Sequence, residues 1–269
     1  MDILQSITLG IVQGLGEFLP ISSTAHLILV PYFTGWQDPG LAFDVAMHAG
    51  TLFAVIIYFW RDWLEIFKIA LWREGRGGAS LGSHRYNKNI LWLLIIGTIP
   101  GVVIGLSLEK FVDSAFRSPY LIALTLSVFG LILYLLDKYA QQKRDLEKIN
   151  LKDVLIIGLA QAVAIIPGVS RSGATISAGL ALGLTRVSAA RFSFLLSTPI
   201  ILGATLSQMP DLINEGINSG LIWGVIFSAI SGYLAIKYLI KFVENYSYKV
   251  FFWYRLALAI IIIIVINLR

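Results

Sequence analysis

The chain has 269 residues, of which 57% are hydrophobic and 14% are charged, and its mean hydropathy is +0.78. Soluble domains carry about 25% charged residues, so this composition excludes an ordinary soluble domain and indicates a polytopic membrane protein. The net charge of +5 is clustered along the chain, and the absence of cysteine excludes disulfides, thiolate metal sites and a cysteine nucleophile.

The first predicted element is a broken helical hairpin. Residues 1–34 are apolar but are interrupted at Pro20 and at the Ser-Ser-Thr that soon follows it. A helix needs about 20 apolar residues to cross a bilayer core of about 30 Å, and neither arm of this segment is that long. Residues 152–186 repeat the pattern, with a break at Pro167 and Gly168. Both segments predict re-entrant hairpins, whose irregular backbone must be buried in protein or line a cavity.

Six other segments are long and apolar enough, or nearly so, to cross the membrane as helices. They lie at about 41–60, 90–108, 119–136, 190–208, 220–240 and 251–268. No low-complexity segment or long linker divides the chain, so residues 1–269 are expected to form one integral membrane domain. The expected fold is an all-α polytopic membrane protein with six transmembrane helices and two re-entrant helical hairpins.

Basic residues are concentrated in three connecting segments. These are 61–88 (Arg61, Lys68, Arg73, Arg76, Arg85 and Lys88), 137–152 (Lys138, Lys143, Arg144, Lys148 and Lys152) and 237–249 (Lys237, Lys241 and Lys249). The positive-inside rule predicts that all three lie in the cytoplasm, whereas 209–219, which has no Lys or Arg, lies outside. Six spans then place residues 1–40 outside, so the first hairpin enters from outside and the second from the cytoplasm.

The two hairpins resemble each other in sequence. GIVQGLGEFLPIS occupies 10–22 and GLAQAVAIIPGVS occupies 158–170. Without a gap, the matching residues are Gly10, Gln13 and Ser22 with Gly158, Gln161 and Ser170. Each hairpin is followed by three spans, so we expect inverted repeats at about 1–136 and 149–269, whose broken tips meet near the midplane.

Each hairpin carries a polar cluster. The first cluster contains Gln13, Glu17, Ser22, Ser23, Thr24 and His26, and the second contains Ser170, Arg171, Ser172 and Thr175. A carboxylate inside a membrane segment is expensive and is by default a functional hypothesis. Guanidinium donors match phosphate oxygens in a fork, so an arginine among hydroxyls and glycines is typical of an anion-binding site.

A structural interpretation competes with the functional one at several positions. Ser and Thr often join membrane helices, and a lone His48 in the first full span favours a packing or supporting role. The position of Arg191 fits two roles about equally well, an anchor at the cytoplasmic face and a residue that reaches toward the site. The combination of Glu17, His26 and Arg171 at two meeting tips favours function.

The motifs QGLGEFLPISSTAHL and PGVSRSGATI, at 13–27 and 167–176, resemble those of the undecaprenyl-diphosphate phosphatase family, also called bacitracin resistance proteins. That family carries an (E/Q)xxxE motif, a P-x-SST-x-H continuation and a PGxSRSxxT motif. The segments FDVAMHAGTLFAVIIYF and RFSFLLSTPIILGA extend the resemblance, which covers essentially the whole chain. Two departures are Gln13, where a glutamate would give a second carboxylate, and Gly16, where threonine is expected.

The resemblance implies removal of the terminal phosphate from C55 undecaprenyl diphosphate, which recycles the lipid carrier of cell-wall synthesis and gives bacitracin resistance. It implies a bacterial plasma-membrane enzyme with a site open to the outer face and a requirement for Mg2+ or Ca2+. The expected catalytic residues are Glu17, Ser23, His26 and Arg171. The expected substrate-binding residues are Ser22, Thr24, Ser170, Ser172 and Thr175, and the expected metal ligands are Glu17 and Gln13.

The nucleophile and the class of protein have alternatives. Ser23 with His26 as its base is preferred, and water activated by His26 or Glu17 is the other candidate. A transporter or flippase of polyprenyl phosphate lipids is the rival to an enzyme, because inverted repeats with broken helices are typical of transporters. The lipid substrate and the bilayer are the expected partners, nucleic acid is not, and a homodimer is compatible with the sequence.

Overall fold

The computed structural model describes residues 2–71, 85–115, 118–215 and 218–268, and within these ranges the chain is α-helical without a β-strand. The helices are α1 (Ile3–Phe18), α2 (Ser23–Thr34), α3 (Leu41–Tyr58), α4 (Trp60–Leu71), α5 (Ile90–Ala115), α6 (Pro119–Tyr139), α7 (Leu151–Val163), α8 (Arg171–Ala181), α9 (Arg186–Glu215), α10 (Ser219–Asn245) and α11 (Lys249–Leu268).

The long helices confirm an all-α polytopic membrane protein. Within the described ranges, α5, α6, α9, α10 and α11 are each long and apolar enough to cross a membrane. A sixth span is obtained when α3 and α4 are taken together, although the pair is bent by 71°. The sequence placed α4 within the basic connecting segment 61–88, so this helix was not predicted. Arg73 and Arg76 of that segment lie outside the described residues.

The two predicted breaks separate α1 from α2 and α7 from α8, and the arms of each hairpin pack together. The second arm of each begins after a serine with a left-handed backbone, Ser22 at φ 73° and Ser170 at φ 72°. Each serine caps its helix, since Ser22 Oγ accepts from the Ala25 N–H and Ser170 Oγ from the Gly173 N–H. The two breaks are therefore built alike, while membrane re-entry and the inverted repeat stay predictions.

The matched glycines of the two hairpins have the same packing role. A Cβ added at Gly10 would lie 2.2 Å from the carbonyl oxygen of Gly224 in α10. One added at Gly158 would lie 2.5 Å from the carbonyl oxygen of Gly97 in α5. Each glycine thus lets the first arm of its hairpin approach the backbone of a span, which is how small residues join membrane helices.

Ion pairs join the helices at the end of the bundle that carries the basic segments. Arg191 of α9 pairs with Asp62 of α4, which also accepts a hydrogen bond from the Tyr86 hydroxyl. Burial raises the pKa of Tyr86, so its hydroxyl is a neutral donor to that carboxylate. Similarly, Arg186 Nε lies 2.5 Å from Asp137 Oδ1. Arg191 is therefore held by an ion pair within the bundle, and its role as a cytoplasmic anchor stays a prediction.

Candidate active site

The breaks of the two hairpins lie against each other, as the sequence predicts. The backbone N–H of Gly168 donates to Ser22 Oγ at 3.1 Å, and Ser172 Oγ donates to the carbonyl oxygen of Leu19 at 3.2 Å. Each break thus supplies a hydrogen-bond partner to the other, which irregular backbone buried in a membrane protein requires. Ser22 and Ser172, both predicted to bind substrate, are used in joining the breaks.

A buried ion pair crosses from one hairpin to the other. Arg171 begins α8 and its Nη2 donates to Glu17 Oε1 at 2.7 Å, while its Nη1 donates to the carbonyl oxygen of Ser193 at 3.0 Å. Glu17 lies in the last turn of α1 and is only 6% exposed. The predicted proximity of these two residues is confirmed, and the pair places a carboxylate and a guanidinium at the junction of the hairpins.

The second oxygen of Glu17 has three neighbours. Ser23 Oγ donates to Glu17 Oε2 at 2.7 Å and Gln13 Nε2 donates to it at 3.0 Å. The Nε2 atom of His48 lies 3.4 Å away, and the Nδ1–H of His48 donates to the carbonyl oxygen of Asp44 at 2.7 Å. The carboxylate of Glu17 therefore organises residues of α1, α2, α3 and α8 around one point.

His48 contacts Glu17, which agrees with the packing or supporting role that the sequence favoured for it. The only sign of this contact in the sequence was the presence of a histidine in an otherwise apolar span. Its contact with Glu17 depends on the depth and rotation of α3 against α1, which the sequence alone does not specify.

The expected pairing of Ser23 with His26 is wrong. The Nδ1–H of His26 donates to the carbonyl oxygen of Ser22 at 2.7 Å, and Nε2 lies 2.6 Å from the hydroxyl of Tyr254. Both ring nitrogens thus have other partners, and the ring stacks on Tyr254 with centroids 5.7 Å apart. Ser23 turns instead to the carboxylate of Glu17, since an ionised acceptor makes a stronger hydrogen bond than a neutral one.

The remaining predicted hydroxyls differ in their surroundings. Thr175 Oγ1 lies 2.6 Å from Ser193 Oγ, and Ser170 Oγ lies 3.2 Å from Ser172 Oγ. Thr24 is half-buried at the start of α2 and has no hydrogen bond through its side chain to another described residue. Among the predicted substrate-binding residues, Thr24 therefore keeps its hydroxyl available, whereas the hydroxyls of the others have hydrogen-bond partners within the protein.

Arg255 is a buried charged residue that the sequence analysis did not identify. It lies in α11, is 0% exposed, and donates from Nη2 to the carbonyl oxygens of Gly168 at 2.6 Å and Val169 at 3.1 Å. Its Nη1 reaches the carbonyl oxygen of Pro20 at 3.4 Å. A single side chain from the last helix therefore contacts both breaks.

The donor set for a divalent cation is small. No group of three or more His, Cys, Asp or Glu side chains suited to a metal occurs among the described residues. The Oε1 atom of Gln13 is buried without a hydrogen-bond partner, next to the carboxylate of Glu17. These two residues fit a hard cation that takes most of its oxygen ligands from a bound phosphate group and from water.

Fold and site together define a class: polytopic helical membrane proteins in which two broken hairpins meet at a buried, charged site suited to an anion. The chain belongs to the family of the bacitracin resistance protein BacA, which matches it over residues 6–261. It is 49% identical over 270 residues to an undecaprenyl-diphosphatase of Moorella thermoacetica, with 100% of both chains covered.

Further relatives agree in name and extent. The chain is 46% identical over 269 residues to an undecaprenyl-diphosphatase of Pelotomaculum thermopropionicum, covering 100% of this chain and 98% of the relative. It is 47% identical over 269 residues to an undecaprenyl-diphosphatase of Desulforudis audaxviator, with 100% of both chains covered. The similarity thus extends over the whole length and includes both hairpins.

The ion pair between Glu17 and Arg171 gives a prediction for stability. Removing one member leaves an unpaired buried charge, which costs about 3–5 kcal/mol. Glu17→Gln and Arg171→Gln should each lower the unfolding temperature of the purified protein, and the double variant should unfold at a higher temperature than either one. Lys152→Gln, at an exposed position, is the control and should leave the unfolding temperature unchanged. Additive losses in the double variant would contradict a direct ion pair.

Proposed function

We propose that the protein is a phosphoric anhydride hydrolase that converts undecaprenyl diphosphate to undecaprenyl phosphate and inorganic phosphate. The proposal rests on one observation, the junction where Arg171, Glu17 and Ser23 meet inside a membrane protein. The relatives named undecaprenyl-diphosphatase support it. This activity would recycle the lipid carrier of cell-wall synthesis and give bacitracin resistance.

Substrate binding in this proposal uses the guanidinium of Arg171. Arginine has five N–H donors in a planar fork, and those bonded to Glu17 and Ser193 leave others to face a phosphate. The hydroxyl of Thr24 is a second donor near the junction. The polyprenyl tail stays in the bilayer while the diphosphate reaches the hairpins.

Ser23 is the proposed nucleophile and Glu17 the proposed base. Their oxygens are 2.7 Å apart, within the distance needed for direct proton transfer. A bond forms between Ser23 Oγ and the terminal phosphorus, the bond from that phosphorus to the bridging oxygen breaks, and the hydroxyl proton passes to Glu17. Undecaprenyl phosphate leaves, and water then cleaves the phosphoserine to give inorganic phosphate. His26, which the sequence favoured as the base, is not used for this step.

The sequence analysis left two alternatives, attack by water and transport of a lipid. Direct attack by water, oriented by Glu17, needs the same carboxylate and differs only in the identity of the nucleophile. Transport of polyprenyl phosphate lipids is not proposed, because the names of the relatives describe a hydrolase.

A divalent cation, Mg2+ or Ca2+, is part of the proposal. Glu17 and the unpartnered Oε1 of Gln13 would hold it together with phosphate oxygens and water. When bound, the cation would neutralise charge on the diphosphate, on which phosphoryl transfer depends. The chain itself supplies the guanidinium, the nucleophile and the base.

The proposed location is the bacterial plasma membrane, with the basic segments in the cytoplasm and the site reached from the outer face. The distribution of Lys and Arg supports this orientation, because three segments are basic and 209–219 contains neither. A homodimer stays a prediction, and the proposed chemistry uses residues of one chain only.

The first test is release of phosphate from C55 undecaprenyl diphosphate by the protein purified in detergent. The unmodified protein should release phosphate, a chelator should stop it, and added Mg2+ or Ca2+ should restore it. Arg171→Lys should lose at least about 10²-fold in rate, because lysine lacks the planar fork that orients a phosphate. Lys152→Gln serves as the control. No phosphate release from well-folded protein would refute the hydrolase and favour a transporter.

The second test concerns the nucleophile. Ser23→Ala should remove activity almost completely, whereas loss of one hydrogen-bond donor would cost only about 10²–10³-fold. In the unmodified protein, acid quenching during turnover followed by peptide mass spectrometry should detect phosphate on Ser23. A residual rate in the lower range without a phosphopeptide would assign the attack to water.

The third test concerns orientation. The chain has no cysteine, so single introduced cysteines report without background. Ser219 and Lys143 are both exposed, Ser219 at the start of α10 and Lys143 between α6 and α7. In intact cells, a cysteine at Ser219 should react with a membrane-impermeant reagent, and one at Lys143 should react only after permeabilisation. The reverse pattern would place the basic segments outside.

A further inference from the structure

Arg255 is a buried cation that has no counter-ion among the described residues. It is 0% exposed, and no carboxylate of a described residue lies within ion-pair distance of it. Placing a charge in a membrane interior is costly, and such residues generally have a functional reason. The charge of Arg255 therefore needs an explanation beyond helix packing.

The hydrogen-bond partners of Arg255 explain how the protein tolerates it. All are backbone carbonyl oxygens, and they come from three parts of the chain: Pro20, Thr125, Leu126, Gly168 and Val169. Those in the two breaks lie outside regular helix, where a carbonyl buried without a partner would cost free energy. The guanidinium thus satisfies the irregular backbone of both hairpins, but carbonyl dipoles do not neutralise its charge.

Arg255 also lies next to the segment that carries Arg171. Gly168 and Val169, which it binds, directly precede Ser170 and Arg171. A Cβ added at Gly173, in the first turn of α8, would lie 3.1 Å from Arg255 Nη1. A shift of Arg255 would therefore shift the start of α8 and with it the guanidinium of Arg171.

The ion pair at the junction does not balance the charge of Arg255. Glu17 pairs with Arg171, so among the described residues the guanidinium of Arg255 has only backbone carbonyl partners for its charge. A bound diphosphate carries negative charge and would balance it, without direct contact with Arg255 being required. In a medium of low polarity such charges interact much more strongly than they do in water.

We propose that Arg255 is the positioning residue of the diphosphate site, which holds the two hairpin breaks in register and makes the junction selective for an anion. The inference rests on the proposed function and extends it to a residue of the last helix. A purely structural residue would affect stability alone. A positioning residue also affects the rate and the binding of an anion in folded protein.

The experiment compares Arg255→Lys and Arg255→Gln in the full chain, with inorganic diphosphate as the binding probe. Melting temperature, the Kd for inorganic diphosphate from calorimetry, kcat and KM are measured for each. Arg255→Lys keeps the charge, so its Kd should stay within about 10-fold of the unmodified value. Its kcat should fall about 10²-fold, because one ammonium cannot hold both breaks and a misplacement of about 1 Å has that effect. Arg255→Gln should lose both affinity and rate.

A second pair of variants covers the case in which changes at Arg255 prevent folding. Gly173→Ala places a methyl group against Arg255 Nη1 and Ser170 Cβ, both at 3.1 Å. It should lower kcat about 10²-fold while the protein remains folded. Gly105→Ala is the matched control, because no atom lies within 4 Å of a Cβ built there, and its kcat should be unchanged.

The outcomes separate this inference from the proposed function. If Arg255→Gln folds and its Kd and kcat are both unchanged, the inference is overturned. If the Arg255 variants do not fold, an unchanged kcat in Gly173→Ala overturns it instead. If the unmodified protein binds inorganic diphosphate but hydrolyses no undecaprenyl diphosphate, the proposed function fails. In that case, weaker binding by Arg255→Gln or Gly173→Ala would still support the positioning role, and unchanged binding would reject it.

Discussion

Two interruptions of helix inside a membrane protein impose the constraint on which the rest of the structure depends. Backbone groups released at a break have no water to bind, so protein must supply their partners. Here each break supplies partners to the other through Ser22 and Ser172, and Arg255 binds carbonyl oxygens of both. The breaks therefore stabilise each other, and these contacts hold each hairpin in place relative to the other and to α11.

The same constraint creates the site. The last turn of α1 carries Glu17 and the first turn of α8 carries Arg171, so bringing the breaks together also brings these charges together. Ser23 follows the first break directly and meets the carboxylate of Glu17. The proposed chemistry and the architecture thus use one junction, and the buried charges that are costly for folding are the groups proposed to bind a diphosphate.

The positions of both breaks and the polar clusters beside them were predicted from the residues around them. The meeting of Glu17 with Arg171, which are 154 residues apart, was predicted from the likeness of the two hairpins. Closeness in sequence was misleading for one pair. Ser23 was assigned to His26 because they are close in sequence, but the structure turns them apart, to Glu17 and Tyr254.

The sequence by itself determined the membrane class, the helix breaks and the family, because composition, periodicity and motif chemistry are properties of residue types and near neighbours. Only the tertiary structure decided that His48 faces Glu17, that Arg191 anchors to Asp62 and that Arg255 lies between the breaks. Such contacts depend on the depth and rotation of helices distant in the chain. In an apolar span, a lone His or Arg gives no sign of which neighbour it will face.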